Sequence, residues 1–115
     1  MTVVTLQRLV DGVFGGSYKA LHEWQAEIVG RYGLDFWSIY RENFFRSDFS
    51  YALPLGREIP RGVHSVMRLA NMSNDEVLQP GLIRRIVAFL ALESERSPQS
   101  EVVVAFLRKE VVDQG

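Results

Sequence analysis

Tyr32-Gly-Leu-Asp-Phe-Trp-Ser-Ile-Tyr-Arg-Glu-Asn-Phe-Phe-Arg-Ser-Asp-Phe-Ser-Tyr51 is the stretch that decides how this chain folds. It carries eight of the thirteen aromatic residues in a chain of 115. Large apolar side chains gathered so closely form either the centre of a small core or a surface that grips another protein. At 100° per residue, Phe36, Trp37, Tyr40 and Phe44 fall within about a 100° arc of one helix, with Ile39 beside them and Phe45 on the other side. That stripe reads as core. Gly33 and Asp35 stand in front of it as a helix stop and an N-cap, so the spacing predicts a helix from Phe36 to about Phe45. Phe45, between Arg41 and Arg46, has the composition of an interface anchor; the alternative is a ring covered by the loop that follows.

Upstream, Leu6, Leu9, Val10, Val13 and Phe14 recur at helical spacing and Gly15-Gly16 ends the pattern, which predicts a helix over about residues 4 to 14. The Thr2-Val3-Val4-Thr5 start also fits a short strand. Ser17 caps a second helix with Leu21, Trp24, Ile28 and Tyr32 inside and Lys19, Glu23 and Glu27 outside. Downstream, residues 47 to 61 are broken by Pro54, Gly56 and Pro60 into a long loop, of the length that is usually functional. A fourth helix fits Gly62 to Asn71 with Val63, Val66, Met67 and Ala70 buried. Ser73-Asn74-Asp75-Glu76 has the form of a capping box, and Pro80 suits the first turn of the next helix. Leu82 to Leu92 is apolar at nine of eleven positions, so that helix either runs through the middle of the fold or has a second face for a partner. Ser97-Pro98 starts a last helix with Val102, Val103, Phe106 and Leu107 inward, although Val102-Val103-Val104 keeps a strand reading open. The expected fold is therefore all-α, a single compact bundle of five or six helices over residues 1 to 115. Its centre is assigned to Leu21, Trp24, Ile28, Phe36, Tyr40, Phe44, Leu82, Ile86, Leu90 and Phe106.

Composition narrows the function classes. The chain is 47% hydrophobic and 23% charged with a formal net charge of −1, ordinary for a globular domain and without global attraction to nucleic acid or anionic lipid. The absence of cysteine removes disulfide and zinc-thiolate chemistry and fits a reducing compartment. Arg8 and Asp11 interrupt the first apolar stretch, unlike a signal peptide, and no run approaches the ~20 apolar residues of a membrane span. The expectation is a cytoplasmic protein without a membrane partner.

No catalytic, cofactor-binding or metal-binding constellation is expected. His22-Glu23 opens like a metalloprotease helix motif, but Ala26 stands where the second histidine belongs. The glutamates Glu93, Glu95, Glu101 and Glu110 read as solvent-facing. Gly15-Gly16 lacks the spacing and the lysine of a phosphate loop. Arginine outnumbers lysine eleven to two, which by itself separates neither coding bias from bidentate anion recognition. Arg61, His64 and Arg68 do share a helix face, and with Arg57, Arg84 and Arg85 they make a local basic patch. A helix-turn-helix over Met67 to Gln79 would drop Pro80 into its recognition helix.

The order Tyr18-Lys-Ala-Leu-His-Glu-Trp, Tyr32-Gly-Leu-Asp-Phe, Leu82-Ile-Arg-Arg-Ile-Val-Ala-Phe-Leu and then Val102 to Arg108 resembles the helix series of bacterial death-like effector-associated domains. The resemblance covers the outer helices, rests on patterned hydrophobics, and is broken by the 47 to 61 insertion. It implies a six-helix adaptor that recruits effectors by pairing with like domains, and it carries over no functional residue. The sequence therefore points to a non-enzymatic regulator, adaptor or inhibitor that binds another protein or itself as a homo-oligomer. Its expected partner surface is Phe45, Arg46, Phe49, Tyr51, Arg57 and Arg61, extended to Arg84, Arg85, Phe89 and Leu92. The alternative is a nucleic-acid-binding regulator that uses the arginine patch.

Overall fold

A computed structural model describes residues 3–42, 61–93 and 95–112. Among these, six α-helices follow in order: α1 (Leu6–Val13), α2 (Tyr18–Gly30), α3 (Phe36–Glu42), α4 (Arg61–Arg68), α5 (Pro80–Glu93) and α6 (Pro98–Leu107). A 3₁₀ turn, Leu69–Asn71, tightens the end of α4, and a π turn, Arg108–Val112, continues α6. The all-α architecture is the expected one. The Val102 to Val104 run lies inside α6, where Val103 and Val104 are buried and Val102 is exposed, so the inward face is rotated from the one its spacing suggested.

Three helix starts form as their sequences require. Thr5 accepts from the Arg8 amide, Ser17 from Ala20 and Ser97 from Ser100, each occupying a first-turn donor that the helix cannot bond internally. Asp35 does the same for α3, accepting from the amides of Trp37 and Ser38 at 3.1 and 3.3 Å. Its carboxyl is held below its usual range by the Ser38 hydroxyl first and then by these amides.

Ser73 to Glu76 behaves differently from a capping box. No helix starts there. The segment turns, and its carbonyls cap α1 instead: Leu6 N donates to Glu76 O at 3.1 Å and Gln7 N to Asn74 O at 2.9 Å. Leu78 N returns to Val4 O at 2.9 Å, and Thr5 and Val77 form one antiparallel bridge, which among the described residues is what remains of the strand reading at the N-terminal end. A tertiary partner has taken the groups that a local motif would have used.

α5 is the central element, packed between α4 and α6, with α1 against α6 and α2 against α3 and α4. Leu21, Trp24, Ile28, Phe36, Leu82, Ile86 and Leu90 are buried as expected, while Tyr40 and Phe106 are only partly buried and Phe44 lies outside the described residues. The α4–α5 contact is close because Gly62 faces Phe89. A methyl group on Gly62 would overlap the Cβ and Cγ atoms of that residue. α1 and α6 meet similarly, where a Cβ on Gly12 would stand 2.5 Å from the Phe106 ring edge.

Polar groups inside the bundle are paired, as burial demands. Trp24 Nε1 donates to Ser100 Oγ at 2.9 Å, and Ser100 Oγ to Ser97 Oγ at 2.9 Å. Gln25, fully buried, donates from Nε2 to Val66 O at 2.7 Å and turns its oxygen to His22 Nδ1 at 2.8 Å. That orientation of the amide places the proton of the contact on Nδ1.

Candidate functional site

One face of α4 presents Arg61, His64, Ser65 and Arg68 at spacings of three, four and seven, so they line up along the helix. The first turns of α5 add Gly81, Leu82 and Arg85, and the connection between the helices adds Met72, Glu76, Val77 and Gln79. Together they line an open groove of about 540 Å³. Its size is within the range of small-molecule sites, ~300–1,000 Å³.

The groove is electropositive. Arg68 donates to Glu76 at 2.9 Å, a pair whose side chains are 37% and 38% exposed and so contributes at most about 1 kcal/mol. Arg85 Nε donates to Ser65 Oγ at 3.3 Å, and Ser65 Oγ donates to Arg61 O at 3.1 Å, which orients the Arg85 fork on the wall of α4. Among the described residues neither Arg61 nor Arg85 forms an ion pair with a carboxylate. Burial lowers the pKa of His64, favouring its neutral form.

A second polar cluster joins α5 to the α2–α3 turn. Glu93 is 5% exposed, accepting from Tyr32 Oη at 2.5 Å and from Arg31 Nη1 at 3.1 Å. Arg31 Nη2 also reaches Glu27 at 2.7 Å and Arg96 O at 2.7 Å. Desolvation, then the hydrogen bond to Glu93 and its charge, push Tyr32 up to about 12. The expectation that Glu93 is solvent-facing is thus corrected: its charge is buried because two partners some sixty positions away receive it. Both carboxylate oxygens are occupied, so the cluster serves as a structural tie.

In the second turn of α2, His22 packs among Phe36, Trp37 and Tyr40 with ring centroids 6.0, 6.3 and 5.2 Å away. Phe36 is buried beneath and Trp37 is 44% exposed. Among the described residues no group of three or more His, Asp and Glu side chains could hold a metal ion, and no helix is long and apolar enough to cross a membrane.

The expected partner residues separate into different places. Phe45, Arg46, Phe49, Tyr51 and Arg57 lie outside the described residues. Arg61 and Arg85 meet in the groove, whereas Arg84 is exposed on α5 away from it. Phe89 points inward, 7% exposed, against Gly62 and with its ring centroid 5.9 Å from that of Tyr32. Leu92 is 82% exposed and shares the outer face of α5 with Ala88 and Ala91. Sequence reasoning missed Ser65, Glu76 and Gln79 as groove residues. Ser65 was findable, one position from His64 on the same face, but the other two come from an irregular connection whose path no periodicity reveals.

No family model matches the chain, and no curated protein or solved structure matches it either.

Proposed function

We propose that this chain is a non-enzymatic protein-interaction module, a small regulator, adaptor or inhibitor that binds another protein or a second copy of itself through an apolar helix face. The observation that supports it most is Leu92, 82% exposed at the end of the central helix. A single exposed leucine is ordinary. Here, however, residues 86 to 92 read Ile-Val-Ala-Phe-Leu-Ala-Leu, so every solvent-facing position in the last two turns of α5 is apolar. Alanines at Ala88 and Ala91 let a second helix approach closely, and Leu92 supplies a knob for its groove. The resemblance to adaptor domains that pair with like domains agrees with this reading. Size-exclusion chromatography with light scattering tests it: a complex that Leu92→Glu dissolves without lowering the melting temperature supports the module. A strict monomer that retains no partner argues against it.

The convergence of Arg61, Arg68 and Arg85 on one groove favours a second reading, a nucleic-acid-binding regulator. It requires retention on heparin and an affinity that falls steeply with salt as counterions are released. No mobility shift with duplex or single strand at ~50 mM salt would remove it.

A further inference from the structure

The geometry points to the groove between α4 and α5 as a binding site for a small phosphate monoester, with Arg61 and Arg85 holding the phosphate. This does not depend on the outer face of α5, which lies elsewhere on that helix. Four features carry it.

Charge comes first. Three guanidinium groups and one carboxylate line the groove, and Arg68 already faces Glu76. That leaves two cationic forks, Arg61 and Arg85, without a carboxylate among the described residues, which matches the two negative charges of a phosphate monoester. Preorganisation is the second. Arg85 is held through Nε by Ser65 at 3.3 Å, so its terminal nitrogens are presented as a fork. Its Nη1 lies over the first turn of α5, 3.6 Å from the place a Cβ on Gly81 would take. An anion held there also meets the positive end of a 14-residue helix, which adds to the arginines.

Size is the third feature. About 540 Å³ is far more than a bare phosphate fills, which leaves room beside it for an organic part of the ligand. The remaining walls describe that part: Met72, Val77 and Leu82 are apolar, while Glu76 and Gln79 can accept from hydroxyl or amino groups. Shape is the fourth. Arg84, which a polyanion running along α5 would use, lies outside the groove, and a concave pocket suits a discrete ligand better than a continuous backbone. A mononucleotide and a sugar phosphate share the required chemistry.

The test is titration calorimetry on the full chain at fixed ionic strength with inorganic phosphate, AMP and glucose 6-phosphate, together with amide chemical-shift mapping. The expected result is saturable binding of at least one organic phosphate, at least about tenfold tighter than inorganic phosphate, with shifts confined to residues 61–85. Arg85→Gln and Arg61→Gln should each weaken it by about tenfold or more, and Arg84→Gln by less than about twofold. If Arg85→Gln fails to fold, Arg61→Gln and the wild-type shift map still decide, because Arg61 is exposed. Tighter binding to AMP than to glucose 6-phosphate assigns a nucleotide, and the reverse a sugar phosphate. The inference is overturned if no probe saturates by ~10 mM, if Arg84→Gln matches Arg85→Gln, or if a single-stranded oligonucleotide binds far more tightly than AMP with a steep salt dependence.

Discussion

Three glycines in helices should respond to alanine in three different ways, and the order follows from what each new methyl group would meet. Alanine is favoured over glycine inside a helix by about 1 kcal/mol, so without other effects all three changes stabilise. At Gly30 nothing lies within 4 Å, and Gly30→Ala should stabilise by about 0.5 kcal/mol in this last turn of α2. At Gly12 the methyl meets the Cε2, Cδ2 and Cζ atoms of Phe106, the outer edge of a ring only partly buried. The ring can turn away, so Gly12→Ala should stay within about 1 kcal/mol of wild type. At Gly62 the methyl would overlap Cβ and Cγ of Phe89, and Cβ, bonded directly to the α5 backbone, cannot move without separating α4 from α5. Overpacking of that kind costs ~1–3 kcal/mol, which exceeds the helix gain, so Gly62→Ala should destabilise by about 1–2 kcal/mol. Urea melts resolve this as a loss of roughly 0.5–1 M in midpoint. Double mutants separate the causes: Phe106→Leu should relieve Gly12→Ala, whereas Phe89→Leu keeps Cβ and Cγ and should not relieve Gly62→Ala. A Gly62→Ala protein as stable as wild type would refute the close α4–α5 packing.

The Glu93 cluster predicts an asymmetry. Arg31→Met leaves a buried carboxylate without its cation and should destabilise by about 3 kcal/mol, whereas Glu93→Met leaves Arg31 paired with Glu27 and should cost less, about 1–2 kcal/mol; equal losses in urea melts would contradict the burial of Glu93. Tyr32 ionises near 10.0 when unfolded and at about 12 when folded, so the unfolded chain loses its proton first. Its contribution is therefore complete below pH 10 and declines toward pH 12, and melting temperatures should fall less steeply over that window in Tyr32→Phe than in wild type. Ile86, fully buried at the middle of α5, should cost roughly 2–5 kcal/mol when changed to alanine, and a loss below about 0.5 kcal/mol would displace α5 from the centre.

Periodicity and punctuation were enough to recover the helices, because capping is a local event: Ser17, Asp35 and Ser97 each sit two or three residues from the amides they accept from. The stripe Leu21, Trp24 and Ile28 was likewise legible from spacing. Gln25 was not, although it lies four residues from Leu21 and from Val29, because its burial depends on the Val66 carbonyl that α4 brings to it. Ser73 to Glu76 had the local pattern of a cap and another use for its carbonyls, fixed by the first turn of α1. Glu93 looked exposed because a charge buried by distant partners leaves no trace in its neighbours. In the groove, Arg61, His64 and Arg68 could be aligned from one helix alone. Arg85 joins them only through the approach of α5 to α4, which Gly62 permits and which a sequence does not display.

The outer face of α5 is the proposed protein-binding surface. The most direct measurement is a paired pull-down from the native host with wild type and Leu92→Glu baits of equal thermal stability, quantified by mass spectrometry. One or more proteins, a second copy of this chain included, should be retained by wild type and reduced at least about tenfold on Leu92→Glu. Equal recovery on both baits, or no specific retention on either, would contradict it.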